Sequence, residues 1–425
     1  MNESCILFQN DKGTVVLLDL ARSIEEAQVP SRQLQDNAGP HGTLKRRLVS
    51  AKPPPITPFP TPEPKGYRGL SLPTTSASAQ VAELMTLAAV ESALEEIKLS
   101  YKGPWCLPRV LKPPQERGPV HRQLVEEEDG CLKEDDCSSA LRTGEDDSQH
   151  VTQNSSISPS SSGQDGVVQS SVVVPSVMAA TAEDPLPSAI ITSPYFIPEG
   201  SHYLQGSISS QIPAFLSTAP PVFDLIVLDP PWPNRSAKRK RKARDDSPGG
   251  YHTADGLDSI TRLLSEIPVS SHLSKDGGLV AVWVTNAPRF TDLLRSPTNG
   301  IFHRWGVESV GEWTWLKVTS HGEPITPLES SWRRPWERLL IARRRGSPIK
   351  QPIQNKVIIS VPDVHSRKPN LRSLFENLLP TEYQALEVFA RNLTAGWWAW
   401  GDQCLEFQHR KYWTTTTPGR LMMNS

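Results

Sequence analysis

Six short apolar runs constrain this chain's fold more than any other feature: Phe223–Leu228, Leu279–Val284, Val310–Val318, Arg338–Arg343, Val357–Val361 and Ala385–Ala390. They alternate with segments of helical potential such as Leu257–Ile267 and Lys368–Leu378. Continuous apolar strands between helices predict a largely parallel sheet covered on both faces, because a strand with one wet face carries polar residues at alternate positions. Such sheets take ligands beyond the carboxyl ends of their strands.

Composition divides the chain near residue 187. Of 12 tryptophans only Trp105 precedes residue 230, so the main core is expected in the C-terminal half. Many of the 40 prolines crowd into the first half, notably from Pro53 to Pro64 and at Pro113 and Pro114. The expected organisation is a small β element over 1–28, a Pro/Ser-rich linker over 29–77, a helical segment over 78–112, an acidic and Ser-rich linker over 113–186, and a catalytic domain over 187–425. Residues 4–20 read as two strands around the turn Asn10-Asp11-Lys12-Gly13. Val81, Leu84, Leu87, Ala88, Val90, Leu94 and Ile97 fall at helical spacing, predicting an amphipathic helix that docks on the catalytic domain or on a protein partner. The linkers bury too little apolar surface to offset ordering entropy, so the N-terminal half is expected to be largely disordered.

Net charge is −1, so contact with a polyanion has to come from a local patch. Cys5, Cys106, Cys131, Cys137 and Cys404 show no CxxC spacing, and the histidines no ligand spacing. Neither a disulfide framework nor a metal is expected. No basic leader with an apolar stretch and no run approaching the roughly 18 apolar residues of a membrane span is present, so a soluble intracellular protein is expected.

The run Phe223–Leu228 ends directly in Asp229-Pro230-Pro231-Trp232-Pro233. Each proline lacks an amide donor and pushes its predecessor out of the helical region, which makes a stiff, extended turn with carbonyl oxygens left as acceptors. Such a turn suits a primary aromatic amine like adenine N6, a poor nucleophile that offers two hydrogens. Asp229 and the Pro230 carbonyl can accept both and turn the nitrogen lone pair toward an electrophile. Trp232 offers a face for a stacked base. A chance Asp-Pro-Pro in an ordinary loop is the alternative; its place at the end of a buried strand argues against that.

The segment from about Ser193 to Trp413 resembles the MT-A70-like adenine-N6 methyltransferases, specifically the branch of methyltransferase-like protein four. Beyond Asp229-Pro230-Pro231-Trp232, the resemblance runs in order through Val282–Asn286, Glu312–Val318, Pro362–Pro369, Glu387–Leu393 and Trp400–Gln403. It implies a Rossmann-like methyltransferase domain using S-adenosyl-L-methionine, with Asp229, Pro230, Pro231 and Trp232 catalytic. It also implies cofactor contacts from Lys368, Arg391, Asn392, Asp402 and Gln403. Ser207 stands where the family usually carries an acidic cofactor contact, and Asp402 where it often carries Asn.

Just after the signature, Arg235, Lys238, Arg239, Lys240, Arg241, Lys242 and Arg244 put seven cations within a stretch of ten residues. The run suits nucleic-acid phosphates, a nuclear import signal, or both. The expectation is N6-methylation of adenine in RNA, implied by the branch to be a small nuclear RNA adenosine or its 2′-O-methylated form, with DNA adenine left open. The alternative is a catalytically silent nucleic-acid-binding subunit, against which the intact signature stands. A nuclear location is expected.

Overall fold

The computed structural model describes residues 4–31, 46–61, 77–111, 193–233, 256–330, 333–364 and 367–415. Strands β1 (Ile6–Gln9) and β2 (Val15–Leu18) form an antiparallel hairpin. Its turn is closed by Asn10 Oδ1, which accepts from the amides of Thr14 and Val15 at 2.9 and 3.1 Å. Helix α1 (Leu20–Glu26) follows at once, capped by Asp19, whose carboxylate accepts from the Arg22 amide at 2.7 Å. Then come β3 (Arg46–Ser50), the long α2 (Ala77–Ser100) and β4 (Val110–Leu111). The second half contains β5 (His202–Gln205), α3 (Ile208–Thr218), β6 (Leu225–Leu228), α4 (Leu257–Glu266), β7 (Leu279–Val284) and α5 (Pro288–Arg295). It continues with β8 (Val307–Lys317), β9 (Trp336–Arg344), β10 (Lys356–Ser360), β11 (Ala385–Val388), β12 (Trp398–Gly401) and β13 (Trp413–Thr415).

Ten strands form one mixed, mostly parallel sheet in the order β1-β2-β10-β8-β9-β7-β6-β11-β12-β5. The pairs β2/β10, β10/β8, β7/β6, β6/β11, β11/β12 and β12/β5 are parallel, whereas β9 runs antiparallel between β8 and β7. Apolar side chains cover both faces: Ile226, Leu228, Val280 and Val282 on one, Leu225, Ala281, Trp313 and Ile341 on the other. Each such Leu, Ile or Val contributes about 1.5–3 kcal/mol by its burial. All six apolar runs are strands. The helix expected over 368–378 shortens to Arg372–Phe375 and a 3-10 turn, because Pro369 disfavours helical geometry at Lys368.

The N-terminal half departs from expectation. The β1/β2 hairpin is not a separate element: β2 pairs in parallel with β10, matching Val15 to Val357 and Leu17 to Ile359. Val16 and Leu17 are fully buried. Helix α2 sets Val90, Ala93, Leu94 and Ile97 against Leu17, Leu316 and Ile359. Val81 and Leu84, assigned by periodicity to the same face, are exposed. β3, inside the expected linker, joins β13 and β4 in a small second sheet. Disorder therefore does not hold for 46–61 of the expected linker, which is ordered around β3. The remaining linker expectations, over 32–45, 62–76 and 112–192, fall outside the described residues.

Candidate active site

The chain leaves β6 at the middle of the sheet, where its neighbours are β7 on one side and β11, much later in sequence, on the other. Asp229 stands at that point, its amide donating to the Val388 carbonyl at 3.3 Å. The turn after it is tight: the Trp232 amide donates to the Pro230 carbonyl at 2.8 Å. One lone pair of that carbonyl is thus already engaged and one remains. Trp232 does not present an open face. It is buried, its Nε1 donates to the Trp283 carbonyl at 2.8 Å, and its ring packs on Phe290 with centroids 4.7 Å apart. The tryptophan wedges the turn in place.

Around Asp229 lies a chain of alternating charges. Lys368 Nζ donates to both Asp229 oxygens, at 3.1 and 2.9 Å, and lies 3.2 Å from Glu337 Oε2. Lys317 Nζ holds the other Glu337 oxygen at 2.5 Å. The aromatic floor adds to this, with Lys368 5.5 Å from the Trp283 ring and Lys317 4.6 Å from that of Trp315. Topology explains the convergence. Asp229 and Lys317 come from the carboxyl ends of β6 and β8, and Glu337 reaches the same end because antiparallel β9 begins there.

These neighbours set the protonation states. Burial raises the Asp229 pKa above the usual aspartate range; Lys368 opposes the rise and Glu337 adds to it. For Glu337 burial also acts upward, but the two lysines outweigh it and hold the carboxyl at about 2. Glu387, on β11, shares a sheet face with Ala385, opposite Leu386 and Val388. Burial and then the Asp229 charge push its pKa up to about 8. Burial thus favours the protonated form of Glu387, while the two lysines hold Glu337 ionised.

Beyond Asp229, the carboxyl ends of β11, β12 and β5 follow side by side and carry the other expected residues. Arg391 and Asn392 follow β11, and the Arg391 charge reaches Asp229. Asp402 and Gln403 follow β12, and Ser207 follows β5. Among the described residues, the side chains of Asn392, Asp402 and Gln403 make no hydrogen bond to protein, which leaves them available to a ligand. Ser207 is the N-cap of α3: its hydroxyl accepts from the Ser210 amide at 3.2 Å and meets Ser210 Oγ at 2.9 Å. The β11 and β12 ends approach so closely that a Cβ at Gly401, where φ is +153°, would lie 3.1 Å from Phe389 Cα. Phe389 itself has φ +61°, a conformation rarely adopted by an aromatic residue.

The basic residues Arg235, Lys238, Arg239, Lys240, Arg241 and Lys242 lie outside the described residues. Sequence reasoning missed Lys317, Glu337 and Glu387 as site residues. The signal was present, since each is a charge at or within an apolar strand, where an unpaired charge is costly.

Residues 223–403 match the MT-A70 family. A protein of Pyricularia oryzae named N6-methyladenosine RNA methyltransferase MTA1 is 46% identical over 419 residues, covering 96% of each chain. One of the same name from Cryphonectria parasitica is 43% identical over 408 residues, covering 96% of this chain and 94% of its own. The human N(6)-adenine-specific methyltransferase METTL4 is 34% identical over 236 residues, 53% of this chain and 46% of its own.

Proposed function

Because the chain belongs to the MT-A70 family, we propose that it is an enzyme that transfers a methyl group from S-adenosylmethionine to N6 of adenine in nucleic acid, with RNA as its preferred substrate. The observation that carries this reading is Asp229 in a proline-stiffened turn at the head of β6, gripped by Lys368 and facing the row of strand ends. The names of the two fungal relatives, similar over almost their whole length, favour RNA over DNA.

The residues present fit the cofactor. Lys368 can trade one of its bonds to Asp229 or Glu337 for one to the cofactor's carboxylate, and Asn392 and Gln403 offer unspent amides to the cofactor's hydroxyls. When bound, S-adenosylmethionine supplies an electrophilic methyl group on a sulfonium sulfur. Asp229 and the unused lone pair of the Pro230 carbonyl accept the two N6 hydrogens and orient the nitrogen lone pair. In a transfer that would form the nitrogen–carbon bond as the donor's carbon–sulfur bond breaks, the Asp229 carboxylate would offset the positive charge on the amine. It then accepts the released proton, a task its raised pKa favours. Lys368 keeps this buried carboxylate ionised between turnovers.

The test is methyl transfer from labelled S-adenosylmethionine to adenine-containing RNA and DNA oligonucleotides, including a small nuclear RNA sequence, with the product identified by nucleoside mass spectrometry. Expected is N6-methyladenosine, or its 2′-O-methylated form, that disappears in Asp229→Ala. Transfer by a folded Asp229→Ala variant would overturn the assignment of that residue. Binding of nucleic acid without transfer would favour the silent-subunit reading.

A further inference from the structure

The loop after β10 delivers Lys368 to Asp229, and it is held from a segment far upstream in sequence. Arg109 Nη2 donates to the carbonyls of Val361 and Pro362 at 3.0 and 2.8 Å, and Nη1 lies 3.7 Å from Asp363. The Arg109 and Asp363 side chains are only 4% and 1% exposed. Asp363 also pairs with Arg367, which is clamped beneath the Phe407 ring at 4.4 Å and precedes Lys368 directly.

Arg109 is itself rigidly placed. The Leu107 amide donates to Asp19 at 2.7 Å, Arg47 donates to the Pro108 carbonyl at 3.0 Å, and β4 pairs with β3 immediately afterwards. Neighbouring N-terminal residues brace the segment beyond Lys317 in the same way. The Trp105 ring covers Gly322, the Ser320 amide donates to Pro55 at 2.8 Å, and the Phe59 amide donates to Ile325 at 2.7 Å.

We infer that the described segments 46–61 and 101–111 are an outer support of the active site, with Arg109 a positioning residue that fixes Val361, Pro362 and Asp363, and through Asp363 and Arg367 sets Lys368 against Asp229. This rests on the function proposed above. A guanidinium can hold two successive carbonyls and a carboxylate in one plane, which an ammonium cannot. Without it the loop regains backbone freedom, and a displacement of about 1 Å is enough to cost a catalytic contact much of its value.

The test uses the full chain with Arg109→Met and Arg109→Lys. Two quantities are measured: hydrogen exchange of the peptide 361–371 without cofactor, and the Kd for S-adenosylmethionine by calorimetry. In Arg109→Met the peptide is expected to exchange faster while the β1/β2 hairpin is unchanged, and Kd to rise about tenfold. Arg109→Lys, which keeps the charge and one hydrogen bond, falls between; it carries the test should Arg109→Met fail to fold. Unchanged exchange in both variants would overturn the inference, as would faster exchange with unaltered Kd, which would mean a structural role alone. Absence of cofactor binding by the wild type would instead strike the proposed function, and the exchange comparison would still report whether Arg109 holds the loop.

Discussion

Lys368 touches both carboxylate oxygens of Asp229 across a sequence separation of 139 residues, and the same ammonium reaches Glu337. A single cation therefore bridges two acids brought together from different strands, with Lys317 the second counter-charge on Glu337. Lys368→Met leaves Asp229 buried near Glu337 and Glu387 without its counter-ion. Turnover is expected to fall about 10²-fold, the scale for removing one preorganised group at a reacting centre. Single-turnover kinetics at saturating cofactor would check it, and a loss confined to cofactor binding would contradict it.

The pH dependence of activity follows from Asp229. Its pKa is raised by burial, and the ionised form accepts the amine hydrogens, so kcat/KM should climb with pH through an acidic limb above the usual aspartate range. Lys368→Met should move that limb higher still. A profile flat from mildly acidic to neutral pH would remove Asp229 from this role.

Glu387 makes the opposite contribution to stability. Its folded pKa of about 8 exceeds the unfolded value of 4.5, so the folded state binds the extra proton between them. The stability it provides is complete at the acid end and is lost as pH rises through 8. Glu387→Gln removes this dependence: the two proteins should melt together near the acid end of the window, and the variant should melt higher above pH 8. Parallel Tm curves across the range would contradict this.

Trp232→Phe keeps the packing on Phe290 but deletes the Nε1 bond to Trp283. A cost of about 1 kcal/mol in denaturant unfolding is expected, with a larger proportional loss of activity as the proline turn loosens. Equal activity would show that the turn holds itself.

Asp19 ties α1 to the Arg109 segment through the amides of Arg22 and Leu107, both at 2.7 Å. Asp19→Ala strands two amide donors and is expected to cost about 2–4 kcal/mol, visible as a lower urea midpoint.

Much of this was legible in sequence because the central strands are unbroken apolar text and the signature follows one of them. β5 and β12 were not, since His202-Tyr203-Leu204-Gln205 and Trp398-Ala399-Trp400-Gly401 mix polar, aromatic and glycine residues. Pro213 disguised α3. The hairpin was visible but its partner was not: Val15-Val16-Leu17-Leu18, apolar at every position, already reads as a strand buried on both faces, and that demands a neighbour. Lys368 was named through resemblance alone. Its hold on Asp229 depends on a loop path that no local pattern encodes.

The parallel pairing of β2 with β10 also governs the order in which the protein can be made. Lys356, at the start of β10, is 343 residues beyond Gly13 in the hairpin turn. At a ribosomal pace of about 5–20 residues per second, the hairpin waits roughly 20–70 s for the strand that covers it. During that interval Val15, Val16, Leu17 and Leu18 have no sheet to join. The newborn chain thus carries an adhesive segment until β10 has been made, and slower synthesis should lower the yield of soluble protein.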